Sequence, residues 1–159
     1  MIRRRKEDGY TLIELMIVIS IVGVLAFPEM EQVRTSAKLT GVHSNYRSVI
    51  TTIYGLQSTD DVATKLTSIF GNSVSPKVED MTNPITNKIG VATEVPLADE
   101  PIAAVYVLDE TVTTVPSGVE QSEYKGAVVA IVQADNSIVV YGCDEVGKLM
   151  TGLQMTIQL

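Results

Sequence analysis

The side chains of this 159-residue chain that are able to do chemistry are one histidine, one cysteine and nineteen acids. His43 sits at a helical position with no Ser and Asp marking a triad, so it reads as a helix-surface imidazole. Cys143 follows a strand-like run without a recognisable nucleophile context and reads as a buried or semi-buried thiol. A single thiol closes no intrachain disulfide and completes no Cys-rich zinc site. The acids come largely as adjacent pairs: Asp60-Asp61, Glu79-Asp80, Asp99-Glu100, Asp109-Glu110 and Asp144-Glu145. Neighbouring side chains on extended backbone point to opposite sides, and none of these pairs has the alternating spacing of a calcium loop. A solvated acidic face is the expected result. No Gly-x-x-x-x-Gly-Lys-Ser/Thr run exists to cradle phosphate. The expectation is therefore no enzyme, no cofactor and no metal.

Glu14 is the acid with unusual surroundings. From Tyr10 to Phe27 it is the one ionisable side chain among Leu, Ile, Val and Met. At about 1.5 Å per residue such a helix reaches roughly 27 Å, close to the thickness of a hydrocarbon core. A lone carboxylate there costs about 2.5–3.5 kcal/mol unless partnered or protonated. No Lys or Arg occurs between Tyr10 and Met30, so a partner has to come from elsewhere. Cutting the chain between Gly9 and Tyr10 creates an α-amine near that depth, on the same or an adjacent subunit.

The run Gly9-Tyr10-Thr11-Leu12-Ile13-Glu14-Leu15, preceded by Arg3-Arg4-Arg5-Lys6 and followed by an apolar helix, resembles the type IV pilin signature, shared with the pseudopilins of secretion and uptake systems. The resemblance covers about the first third of the chain. It implies that residues 1–9 are a leader, that a prepilin peptidase cuts after Gly9 and methylates the amine of Tyr10, and that Glu14 pairs with a neighbour's N-terminus as subunits dock. Gly23 matches a helix glycine of many pilins, and a packing role explains it equally. Pro28 lies about one turn nearer the start than the proline usual in well-known Gram-negative pilins. It removes one backbone bond wherever the helix bends. Many familiar pilins staple their C-terminal loop with two cysteines; here hydrogen bonds or a metal must hold that region.

Charge and composition agree with this family. With 45% apolar residues the chain is no disordered polymer, and a formal charge of −7 argues against a nucleic-acid partner. Removing the leader leaves eight basic against seventeen acidic side chains, so the exported part is more acidic still. The basic run ahead of the apolar segment sets a cytoplasmic N-terminus, and everything after Phe27 is then outside. A secretory signal peptide differs in having a small-residue cleavage site, which Phe27-Pro28-Glu29-Met30-Glu31 does not provide.

Behind the apolar run, Val33, Ala37, Leu39 or Thr40, Val42, Tyr46, Val49, Ile50 and Ile53 recur at helical spacing. They predict one helix over 10–57, roughly 70 Å long. Ser58-Thr59-Asp60 reads as an N-cap for a short helix with Val62, Leu66, Ile69 and Phe70 inward and Gly71-Asn72 at its end. Residues 76–101 read as irregular, and the stretch of about 71–102 as the family's variable connection. Strands are predicted over 103–108, 111–115, 127–133 and 137–141, with a turn at Ala134-Asp135-Asn136 and an edge strand over 153–157.

The reading is α+β: a long N-terminal helix packed on a small antiparallel sheet, as in the pilin fold, with residues 58–159 as the soluble domain. It implies a precursor anchored in the cytoplasmic membrane, then a subunit of an extracellular pilus filament serving adhesion, motility or a related surface function. The implied partners are copies of itself, the prepilin peptidase, and the assembly platform and motor. A minor pilin or a secretion or competence pseudopilin is the nearest alternative, and a tethered binding module that never polymerises is the alternative from another class.

Overall fold

The apolar run and the polar stretch behind it form one hydrogen-bonded helix, α1 (Leu12–Tyr54). The structure is a computed structural model describing residues 10–57, 60–77, 79–113 and 123–159, with backbone alone for 26–29. The described residues fall into two compact units divided within α1 between Thr35 and Ser36.

In the first unit the helix is apolar on all sides and exposed on all of them, from Leu12 and Ile13 through Val24 and Leu25. In the second unit the pattern becomes one-sided. Val42, Tyr46, Val49 and Ile53 recur every three to four residues and are buried. Val33 and Ala37, expected in the same stripe, are exposed. The packed stripe begins where Pro84 meets the helix at Gly41: a Cβ built on Gly41 lies 2.9 Å from the Pro84 Cβ. Gly41 is therefore a point of close approach. Asn45 fastens the same loop by donating from Nδ2 to the carbonyl of Thr82.

The five strands are β1 (Val91–Ala92), β2 (Val105–Asp109), β3 (Val128–Val132), β4 (Ser137–Cys143) and β5 (Leu149–Gln158), ordered as numbered across one sheet. The α+β architecture is as expected, and antiparallel pairing holds for β3, β4 and β5. The pairs β1–β2 and β2–β3 are parallel instead, so the sheet is mixed. A parallel pair needs a connection long enough to return the chain to its starting end, about a dozen residues. Residues 93–104 and 110–127 supply two such connections, whereas residues 134–136 make the tight β3–β4 turn with Asn136 at φ 62°.

Alternation along β2 and β3 sends Val105, Val107, Val128 and Ala130 toward α1 and a second helix, and Tyr106, Leu108, Val129 and Ile131 to the opposite face. Both faces are covered, which is why β3 reads as an unbroken apolar run, Val-Val-Ala-Ile-Val. On the second face Tyr106 and Tyr124 meet edge to face at 5.0 Å, beside Tyr141 and Cys143. Burial pushes the hydroxyls of Tyr106, Tyr124 and Tyr141 above the ordinary tyrosine range.

Several elements differ from expectation. The second helix, α2 (Val62–Phe70), is capped by Asp61; Asp60 precedes the cap, and Ser58 and Thr59 lie outside the described residues. Ile69 is exposed, while Val62, Leu66 and Phe70 are buried. The region 76–101 contains β1 and the bridge Thr82–Ile89, and its Val91 also bridges to Asn72. A two-residue strand is too short to carry an alternation. Thr111 and Val112 form a turn after β2 rather than a strand, and residues 114–115 lie outside the described residues. β5 is the expected edge strand but starts at Leu149, and β4 continues to Cys143.

Buried Asn83 ties three loops together. Its Nδ2 donates to the carbonyls of Ala103 and Lys125 at 3.0 and 2.9 Å, and its Oδ1 accepts from the amides of Ile85 and Thr86 at 2.8 and 3.2 Å. The Thr86 hydroxyl donates to the carbonyl of Ile102 in the same knot.

The exposed carboxyls at caps and turns give the fold an acid dependence. The Thr64 hydroxyl and amide lower the Asp61 pKa, and backbone hydrogen bonds from Gln57 and Thr111 do so at Asp60 and Asp109. A carboxyl whose folded pKa is depressed stabilises the fold above its unfolded value, near 3.9, and loses that contribution as pH falls through the folded pKa. The thermal midpoint should therefore fall as pH drops from about 5 toward 2. Asp61→Asn, which keeps a capping oxygen, should flatten that slope in a melting series; an unchanged slope would remove Asp61 from the account.

Candidate assembly site at the start of the helix

The first turn of α1 carries a reciprocal cap. The amide and hydroxyl of Thr11 both donate to Oε2 of Glu14, each at 2.9 Å, and the Glu14 amide donates back to the Thr11 hydroxyl at 3.3 Å. The carbonyl of Thr11 accepts the first helical bond, from Leu15 at 3.2 Å. This is the capping box that Thr-x-x-Glu encodes. Thr11-Leu12-Ile13-Glu14 announces it in the sequence, a signal distinct from the charge of Glu14. Both bonds converge on Oε2, and Oε1 accepts none from the described residues. A carboxylate at this end also lies with, rather than against, the helix dipole.

The cap uses the amide of Thr11, not that of Tyr10. Cutting the chain ahead of Tyr10 leaves it intact and places a new α-amine one residue away. Tyr10 is 86% exposed; Gly9, Arg5 and Lys6 lie outside the described residues. Glu14 has no ion pair among the described residues, where the pairs are Lys65–Asp60 and Lys88–Glu100. A Cβ on Gly23 would meet nothing within 4 Å, so within this chain no close contact requires that glycine.

The other sites considered from the sequence do not assemble. His43 is half-buried on α1, Cys143 is buried at the end of β4, and no group of three or more His, Cys, Asp or Glu converges among the described residues. A cavity of about 350 Å³ has Asp60, Asp61 and Asp109 on its wall, and one of about 560 Å³ has Lys88, Glu100 and Tyr106. Neither brings a nucleophile to a base.

No single helix among the described residues is long and apolar enough to cross a membrane by itself; Leu12–Leu25 and Met30–Tyr54, taken as a pair broken at 26–29, are so by length and composition. The sequence reading treated 10–27 as one span. The break falls at Pro28, which has no amide hydrogen to give the carbonyl of Val24.

Residues 4–27 match the family model of the prokaryotic N-terminal methylation motif. Comparison with curated proteins and with solved structures gave no match. The matched stretch takes in most of the basic run, the Gly9-Tyr10 junction and the capped turn around Glu14, and this motif supports a protein of the type IV pilin or pseudopilin kind.

Proposed function

We propose that the chain is a structural subunit of an extracellular type IV pilus filament, cut between Gly9 and Tyr10, methylated on the Tyr10 amine and polymerised through α1. The observation that carries this reading is the first turn: an exposed apolar stretch, Leu12–Leu25, whose one acid is held at the very start, with one carboxylate oxygen uncommitted among the described residues. A neighbour's Tyr10 amine then completes the pair at Oε1 without breaking the cap. Exchanging lipid for other apolar helices releases little hydrophobic energy, so packing and this charge pair supply the register. The function is assembly rather than turnover.

The test is intact mass spectrometry of material sheared from the cell surface. The expected species starts at Tyr10 and is heavier by one methyl group. A cleaved chain confined to membranes would instead indicate a minor pilin or pseudopilin, and an uncut chain a tethered module.

A further inference from the structure

The two edges of the sheet are guarded differently. β1 ends it with two residues, whereas β5 ends it with ten and has a neighbour on one side only among the described residues. Long edges are ordinarily blunted by charge or proline, because their free N–H and C=O groups accept another strand. Residues 149–159 contain no charged side chain and no proline, while residues 55–148 contain fourteen acids against five bases.

The direction of the free groups follows from the pairing. The Cys143 amide donates to the carbonyl of Ala127 and the Ser137 carbonyl accepts from the amide of Gln133, so these residues of β4 turn their backbone toward β3. By alternation Ile138 and Val140 turn theirs toward β5, where they stand opposite Ile157 and Met155. The amides and carbonyls of Gln154, Thr156 and Gln158 are thereby left on the outer edge, and all three residues are exposed. The register shift in β5 falls between Leu149 and Gln154, where Gly152 has φ 83°, so the regularly paired run is 154–158 and its centre is Thr156.

We propose that this edge pairs, antiparallel and across a two-fold axis, with β5 of a second copy, centred on Thr156. In that register Thr156 faces Thr156 of the second copy and Gln154 faces Gln158, and each pair exchanges two backbone hydrogen bonds. Met155, 40% exposed, comes beside Ile157 of the second copy. Like charges opposite one another destabilise a strand pair, and β5 brings none. Elsewhere the domain carries an excess of acid, so its neutral edge is where a second acidic copy approaches without repulsion. A two-fold contact is isologous and closes after two copies, which separates it from any contact that propagates a filament through α1.

The test uses the full chain, in membranes and in detergent. Opposite residues of a hydrogen-bonded pair lie about 5.5 Å apart between Cα atoms, within disulfide range. Diamide, which takes the two hydrogens of a thiol pair, should join Thr156→Cys to itself. Gln154→Cys stands about 14 Å from its own copy and should not join, yet should join Gln158→Cys when the two are mixed. Wild type, whose one thiol Cys143 is buried, is the blank. Thr156→Lys and Thr156→Glu, each alone, should weaken the dimer more than tenfold in sedimentation, and mixing the two variants should restore it. No Thr156→Cys dimer, or equal joining of Gln154→Cys alone, overturns the proposal. Joining of Thr156→Cys to a different protein in place of a copy also overturns it and gives the edge to a foreign strand. Because membranes suffice for the readout, absence of shed filament would strike the filament reading and leave this one standing.

Discussion

Glu14→Gln is expected to be cleaved and methylated normally and to lose more than tenfold in sheared filament. Gln retains a side-chain oxygen able to accept from the Thr11 amide, and the capping box tolerates Gln as well as Glu. The substitution therefore removes the charge and leaves the start of α1 folded. On the proposed contact the lost charge would face a neighbour's amine away from water, where truncating one partner of a pair costs about 2 kcal/mol or more. Each 1.4 kcal/mol is about tenfold in the concentration that assembly requires. Glu14→Ala removes charge and cap together and should do no better than Gln. Thr11→Ala removes the hydroxyl of the cap, costs the helix start about 1 kcal/mol, and should reduce yield modestly because the carboxylate remains. If Glu14→Gln assembles like wild type while Glu14→Ala fails, the residue acts through the cap and the charge pair is refuted.

These variants separate two properties that the sequence merges in one residue. The carboxylate among Leu, Ile and Met was legible at once, because its solvation cost is large and no cation lies within helical reach. The Thr11–Glu14 box was legible in principle, being a local four-residue signal. Strand positions followed wherever burial on both faces produced apolar runs, as in Val128–Val132. Parallel pairing of β2 with β3 was not legible. Strand direction depends on where the 110–127 connection returns the chain, and neither strand encodes that. The buried stripe of α1 was overextended to Val33 for a related reason: helical periodicity shows which face is apolar, and a distant residue, Pro84, determines where cover begins.

Asn83 is where the same difficulty has its largest consequence for stability. Nothing in Thr82-Asn83-Pro84 distinguishes it from an ordinary turn, yet it is fully buried and makes four hydrogen bonds to backbone from three loops. Asn83→Ala leaves two carbonyls and two amides without those partners, and a buried polar group so stranded costs about 1–3 kcal/mol. With some relaxation the loss should be about 3–5 kcal/mol, a large part of a stability of roughly 5–15 kcal/mol. The thermal midpoint should fall by roughly 10 °C or more. Asn83→Asp keeps the shape but turns a carboxylate oxygen toward the carbonyls of Ala103 and Lys125. Ionisation is then disfavoured in the folded state, so this variant should be less destabilised near pH 4 than at pH 7, the reverse of the trend set by the exposed carboxyls. Gly126 closes the same knot: at φ 69°, an added Cβ would lie 2.6 Å from Oδ1 of Asn83 and 2.3 Å from Cγ1 of Ile85. Gly126→Ala should therefore destabilise, and its combination with Asn83→Ala should cost less than the two losses added, because both open one network. Unfolding of the full chain in detergent, followed by near-ultraviolet dichroism of its six tyrosines, measures the three single variants and the double one. An Asn83→Ala loss below about 1 kcal/mol, the worth of one ordinary hydrogen bond, would show that the loops hold without it, and a strictly additive double variant would show that Gly126 serves a separate purpose.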